Sequence, residues 1–400
     1  MNYDIVVAGA GPAGLSFAKS MAGAGLRIAL VEKQSLESLT NPEFDGRDIA
    51  LTHLSVKILK EFGVWDRLEP DEKFPILAAR VIDGNSPYTL DFDPDEDKSV
   101  ALGYIVSNHA IRRTLLAEVG GLPDVELITD AAVEAASTIT ESATVRLSDD
   151  RTLTCKLLVA ADSRFSEVRR MVGIAAEMHD FGRICIVCRM QHDEPHDGIA
   201  FECFHYGRTL AILPLSSHES SIVVTAPMSQ RDTLMAMSGE QFSKDIQDRF
   251  GSRYGQMQLA TERYAYPLVG VHAKRFCTSR CALVGDAAVG MHPVTAHGYN
   301  LGLSGADRLA RELRSAAREC KDIGSYDVLR RYERKHLRNT WPIYHGTNEI
   351  VKFFTDDRPP AKLARKVALR LANNFPPVKH VIRNKLTECS NRSSFLPPFF

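Results

Sequence analysis

The chain of 400 residues is 44% hydrophobic and 25% charged. That ordinary globular balance excludes disorder, collagen-like repeats and low complexity as its organising principle, and its length suits two or three domains. A formal charge of −1 with a pI near 6.9 supplies no global field toward nucleic acid, so no such partner is expected. The longest apolar stretches fall short of the about 20 residues that a membrane-spanning helix needs.

The first element is a buried strand, Asp4 to Ala8, running into Gly9-Ala-Gly11-Pro12-Ala13-Gly14. The stretch Ile5–Ala18 is uncharged, but it lacks a basic leader and is broken by glycines and a proline, so it reads as no signal peptide. Without a signal, the eight cysteines are expected as reduced thiols of a cytosolic protein. The spacing predicts a helix from Leu15 to Gly25 and a second strand from Arg27 that ends at Glu32. In such a unit Gly9 makes the tight turn, Gly11 lets a pyrophosphate approach the backbone, and Gly14 permits helix–strand contact. The helix N-terminus offers free amides to phosphate, and a terminal acid such as Glu32 can accept hydrogen bonds from ribose hydroxyls. The fingerprint serves NAD and FAD alike.

Two further strand-to-turn units follow. Leu157–Ala161 delivers Asp162, with Ser163, Arg164 and Arg169 beyond it. Cys281–Val284 delivers Gly285 and Asp286 to the carboxyl end of a strand, where ligands bind in open α/β sheets. The glycine-rich continuation His292-Pro293-Val-Thr-Ala-His297-Gly298-Tyr-Asn300-Leu-Gly302 leads into a helix expected from Asn300 to Ala317. Between these units, Cys185-Ile-Val-Cys188 lies in a strand-like apolar run, where residues three apart point to opposite faces. It and Cys277/Cys281 are therefore expected as structural thiols rather than metal or redox pairs.

Taken in this order, the three units resemble the FAD-binding set of the single-component aromatic hydroxylases, the para-hydroxybenzoate hydroxylase class. The resemblance implies FAD as cofactor and a discontinuous FAD-binding Rossmann-like domain of the glutathione reductase type. It also implies an inserted β-sheet substrate domain and a helical C-terminal tail. The class's second unit is usually Asp-Gly, and here it is Asp162-Ser163. In that class the third unit's Gly-Asp, here Gly285-Asp286, contacts the ribityl chain, and the loop after it (Pro293, Gly298, Asn300) lines the flavin ring. Asp45–Leu51 resembles the arginine segment of the class, which implies a cofactor role for Arg47. Asn108–Leu115 resembles the helix whose polar residue reaches FAD, which puts Arg112 at that position.

The middle of the chain narrows the resemblance. Glu194-Pro195-His196, then Ala200-Phe-Glu202-Cys-Phe204, then Leu210-Ala-Ile-Leu-Pro214-Leu215 is similar to the ubiquinone-biosynthesis hydroxylase family. Tyr264-Ala-Tyr266-Pro267-Leu268 resembles its return strand. As strands these alternate, Ile199, Phe201 and Cys203 on one face, Ala200, Glu202 and Phe204 on the other. One departure stands out. The family's flavin loop usually reads Ala-Gly-Gln-Gly, and this chain has Thr295-Ala296-His297-Gly298. The variant looks like a divergent bacterial branch that includes flavin-type demethoxyubiquinone hydroxylases. His297 then either hydrogen-bonds flavin or substrate as a catalytic residue, or is a neutral histidine that holds the turn.

The implied reaction is insertion of one oxygen of O2 into a polyprenyl phenol or quinol through a flavin C4a-hydroperoxide, at C5 of demethoxyubiquinol or at C6. Such a site is mostly apolar, with few polar anchors, and needs no metal; His297, the backbone of 293–298 and Phe201 are its expected walls. No second dinucleotide fold follows, so NAD(P)H or an external electron carrier is expected to reach the flavin transiently. From Arg358 to Lys385 there are eight Lys/Arg and no Asp/Glu. A helical projection of 361–373 sets Lys362, Arg365, Lys366 and Arg370 opposite Leu363, Val367 and Leu371. Such a helix can lie on anionic lipid, so peripheral contact with the inner face of the membrane is expected, with other quinone-biosynthesis proteins as possible partners. The expected domains are 1–72, 98–176 and 268–340 for FAD, 73–97 and 177–267 for substrate, and 341–400 as the helical C-terminal region. Two alternative functions stay open: hydroxylation of a soluble aromatic acid, which calls for an arginine in the substrate sheet, and a subunit that holds FAD structurally in a quinone-synthesis complex.

Overall fold

The computed structural model describes residues 2–84, 89–93, 101–205, 207–292, 297–355 and 358. Three short strands with no exposed residue, Ile5–Ala8, Ile28–Val31 and Leu157–Ala160, lie side by side and parallel. Strands that read as unbroken Val/Ile/Leu runs are those buried on both faces. They form the middle of a six-stranded sheet in the order 277–278, 281–283, 157–160, 5–8, 28–31, 125–128. The helices Pro12–Ser20, Asn108–Val119 and His297–Arg318 contribute buried residues to the same core.

A second, larger sheet runs in the order 289–290, 264–273, 176–192, 219–227, 208–214, 199–205, 78–83, 89–92. The helix Gly239–Phe250 opens with a capping box between Ser238 and Gln241, so its orphan amides are satisfied locally. It lays Phe242, Ile246 and Phe250 on one face of this sheet, against Ile186, Cys188, Phe201 and Cys203. The opposite face is left to the cavity described below.

Several expectations shift. The first helix starts at Pro12 rather than Leu15 and ends at Ser20 rather than Gly25, because proline suits the first helical turn and the next residues form the turn to the second strand. The helix expected from Asn300 begins at His297 and ends at Arg318. Phe74–Ile76 pairs with Gly103–Ser107 in a separate three-stranded sheet with Asp48–Leu51 rather than with the large sheet. The domain edges expected at 176/177 and 267/268 fall within single strands, Ala176–His192 and Tyr264–Ala273, and the edge at 340/341 falls within the helix Tyr326–Thr355. Motif spacing locates motifs, whereas a continuous hydrogen-bond ladder carries no sequence punctuation at its midpoint. The basic stretch 361–373, Tyr206 and Pro293 lie outside the described residues.

Candidate functional site

The first strand ends in an interlocked turn. Gly9 adopts φ +104°, where a side chain would strain the backbone, and a Cβ there would stand 2.6 Å from the Ala161 carbonyl oxygen. A Cβ at Gly14 would sit 1.9 Å from the carbonyl oxygen of Gly9, so the helix lies on the turn only because position 14 has no side chain. The helix then starts from Gly11 with no side-chain cap bond, leaving first-turn amides free for an anion. Around a Cβ placed at Gly11 nothing stands within 4 Å, an open approach to the backbone at the place where a pyrophosphate needs one. Glu32 caps this loop: its carboxylate accepts from Ala10 N at 2.8 Å and from Gln34 N at 3.0 Å. Arg112 donates to the side chain of Gln34, two residues after this acid, at 3.3 Å.

The other two units converge on the first. Asp162 follows Ala161 out of its strand and accepts from the Glu167 amide at 2.9 Å. Arg164 donates to Asp286 at 3.1 Å and to the Val269 carbonyl at 3.1 Å. Asp286 lies in the single turn Gly285–Ala287. Asn300 is buried and works between elements, accepting from Thr52 N at 3.1 Å and donating to the Ala50 carbonyl at 2.9 Å. It therefore fixes the Asp48–Leu51 strand to the helix that starts at His297, which is itself buried.

Arg47 forks onto Asp45 at 3.0 and 2.6 Å and stacks over the Tyr266 ring at 5.4 Å. Asn108 donates to the same carboxylate at 2.8 Å, and the Tyr266 hydroxyl donates to the Asp45 carbonyl at 2.8 Å. Burial alone would raise the Asp45 carboxyl, but the Arg47 guanidinium and the Asn108 amide outweigh it and hold that carboxyl below its usual range. Next to this group, Asp48 and Arg189 pair at 2.6 Å, with the Asp48 side chain entirely inaccessible.

One cavity of about 580 Å³ joins these parts. Gly11, Pro12, Ala13, Arg47, Asp162, Gly285, Asp286 and Gly298 line it; Gly9, Gly14, Glu32, Arg112 and Asn300 are outside the lining, and Glu32 and Asn300 bond residues in it or next to it. Residues 48–50, Asn108, Arg164 and the start of the His297–Arg318 helix add to this lining, and the large sheet faces it with Glu202, Thr209, Ala211, Leu213, Val223 and Thr225. Phe201, expected as a wall, is corrected: it points to the other face, against Phe250 and Tyr254, because neighbours along a strand alternate. Asn108, Asp48, Thr209 and Thr225 were not legible as site residues. Glu202 is missed as well: the alternation sets it on the face opposite Phe201, whereas the expected wall is on the Phe201 side.

Burial pushes the Glu202 carboxyl up to about 8. An acid raised in the folded state binds more protons folded than unfolded between its two pKa values, so its contribution to stability falls as pH rises from near 4.5 to 8. Replacing Glu202 by glutamine is therefore expected to leave the melting temperature unchanged near pH 5 and to raise it by a few degrees at pH 8.5, read by thermal melts at both pH values.

The donors fit a flavin dinucleotide: an open glycine cradle at a helix N-terminus, an acid at the end of the second strand, and two further strand ends that meet in one cavity. A family model described as an FAD binding domain matches residues 2–346. The ubiquinone hydroxylase UbiM of Neisseria meningitidis is 46% identical over 97% of this chain and 85% of its own length. The ubiquinone hydroxylase UbiL of Rhodospirillum rubrum is 32% identical over 94% and 88%. The crystal structure of p-nitrophenol 4-monooxygenase PnpA from Pseudomonas putida superposes with a TM-score of 0.77 at 18% identity, covering 98% of this chain and 99% of that one, and so shares the fold.

Proposed function

The chain belongs to the FAD-dependent ubiquinone hydroxylases, and from that premise we propose that it hydroxylates the aromatic ring of a polyprenyl phenol or quinol in the 580 Å³ cavity. It is an enzyme, a flavoprotein monooxygenase of ubiquinone biosynthesis. Bound and reduced, FAD supplies an activated oxygen atom from O2. The protein's part is to bind, orient and dry the site. In this reading Gly11 and Ala13 present backbone amides to the pyrophosphate, Pro12 between them opens the helix, and Glu32 takes a ribose. Arg47, Arg112, Asp162, Gly285, Asp286, Gly298 and Asn300 hold or support the rest of the dinucleotide.

One observation favours a neutral ring over an aromatic acid. The sheet face that lines the cavity offers a carboxyl and two hydroxyls, Glu202, Thr209 and Thr225, beside apolar Ala211, Leu213 and Val223. The two arginines of the lining are engaged elsewhere, Arg47 by Asp45 and Arg164 by Asp286. A carboxylate on the substrate would meet an acid rather than a cation. Among the described residues no helix is long and apolar enough to cross a membrane. A substrate with a lipid tail then calls for contact at the membrane surface, which we assign to the basic stretch 361–373. The reductant in this reading is NAD(P)H or an electron carrier from outside the chain.

Mass spectrometry of quinone intermediates in cells lacking the protein tests the proposal. Accumulation of a prenylated intermediate short of one hydroxyl is the expected result, and its structure names the ring carbon. Normal quinone levels with no such intermediate overturn it.

A further inference from the structure

Glu202 occupies an unusual place on the cavity floor. Strand register sets one continuous row across five neighbouring strands: Val81, Glu202, Ala211, Val223, Val187. Every member but Glu202 is apolar, and its cross-strand neighbour Ala211 is too small to cover it. The adjoining row places Thr209 directly opposite Thr225, and both line the same cavity. Among the described residues the Glu202 carboxyl has neither an ion pair nor a hydrogen bond, although both of its strand neighbours, Phe201 and Cys203, are buried. The carboxyl is half-buried and opens onto the cavity, so its bonding is left for water or a bound molecule to complete.

Burial keeps this carboxyl largely protonated at neutral pH, since its pKa is pushed up to about 8. A neutral carboxyl carries one O–H donor and retains acceptor capacity. That pair matches a phenol hydroxyl, which both donates and accepts. It does not match an aryl ether as well, whose oxygen donates nothing.

We propose that Glu202 hydrogen-bonds the oxygen at the reacting ring of the substrate and selects rings bearing a free hydroxyl over their fully etherified counterparts. The inference rests on the reading of the cavity as a phenol site and adds the residue that recognises the ring. In this arrangement Ala211 and Val223 give the flat surface beside the anchor, and the two threonines border it.

The test uses the flavin-loaded protein and two soluble probes, 2-methoxyphenol and 1,2-dimethoxybenzene, with binding read from perturbation of the bound flavin's absorption. The wild type is expected to bind the phenol about tenfold more tightly than the ether, the size of one net hydrogen bond to a buried partner. Glu202→Leu is expected to erase that preference by weakening the phenol alone, and Glu202→Gln, which keeps a donor and an acceptor, to retain most of it. A Glu202→Leu protein that keeps its flavin and the full preference overturns the inference, as does a wild type that binds both rings equally. A wild type that binds neither ring overturns the phenol reading of the cavity, and the inference with it. Should the leucine variant lose flavin, infrared difference spectra decide. Adding 2-methoxyphenol must shift a protonated-carboxyl C=O band in the wild type that Glu202→Gln lacks, and absence of that shift overturns the inference.

Discussion

Replacing Gly14 by alanine is expected to abolish retention of FAD. The added methyl would stand 1.9 Å from the Gly9 carbonyl oxygen and 3.3 Å from the Ala161 side chain, so rotation cannot relieve it: both obstacles belong to the strand ends that form the cradle. The helix must lift away by more than an ångström. Overpacking of this kind costs about 1–3 kcal/mol, and more where backbone is the obstacle. The displacement also withdraws the first-turn amides around Gly11 from the pyrophosphate, so the loss in cofactor affinity is expected to exceed the loss in stability, at roughly 100-fold or more, which corresponds to about 3 kcal/mol. Flavin absorbance per mole of purified protein, with and without added FAD, measures it. A Gly14→Ala protein isolated with a full complement of flavin would show that the three-glycine turn does not hold the cofactor.

The second large effect is expected at the ion pair between Arg189 and Asp48. Arg189 belongs to the large sheet, and Asp48 to the small sheet beside the cavity, so the pair ties two layers together. The carboxylate is fully inaccessible and accepts from the guanidinium at 2.6 and 3.3 Å, while the guanidinium also lies over the Phe44 ring at 4.9 Å. Truncating Arg189 to methionine keeps much of the stem's packing but leaves a buried, uncompensated charge. Breaking such a pair from one side costs about 3–5 kcal/mol, whereas removing both partners costs far less. The expectation is a loss of stability of that size for Arg189→Met, and recovery of at least half of it in Arg189→Met/Asp48→Leu, read from denaturant melts of the flavin-loaded protein. A single variant within about 1 kcal/mol of wild type would show that the carboxylate is hydrated or otherwise relieved.

The parts of this molecule that were legible in its sequence share a physical cause. A glycine forced by a close approach, an acid placed at a strand end and an apolar run too short for anything but a buried strand each leave a local mark, and the strand ends at Ala8, Ala160 and Leu283 do meet around one cavity. What escaped is set by distant partners. Asn108 reads as an ordinary first residue of a helix, and only the fold brings it to Asp45, 63 positions away in the chain. Phe201 has the aromatic character expected of a substrate wall, yet its face is claimed by the helix Gly239–Phe250, whose docking side no local pattern around residue 201 reveals. Phe74–Ile76 has no alternation strong enough to choose between two sheets. The expected edges fall inside strands for a related reason: a strand that serves two layers is one uninterrupted run of residues.

That last property has a consequence for how the enzyme can adapt to its substrate. Ala176–His192 and Tyr264–Ala273 pair along most of their length, from Val271, which also pairs with Gly290 just beyond Asp286, to Val187 and Tyr264 at the far side of the floor. The ribbon is a ruler. It sets the span between dinucleotide wall and floor by peptide geometry, and widening that span means tearing rungs from a ladder rather than turning a hinge. The one irregular place is the register shift between Asp180 and Ile184. Room for a bulkier ring would consequently come from exchanging side chains on the floor, Ala211 and Val223 foremost.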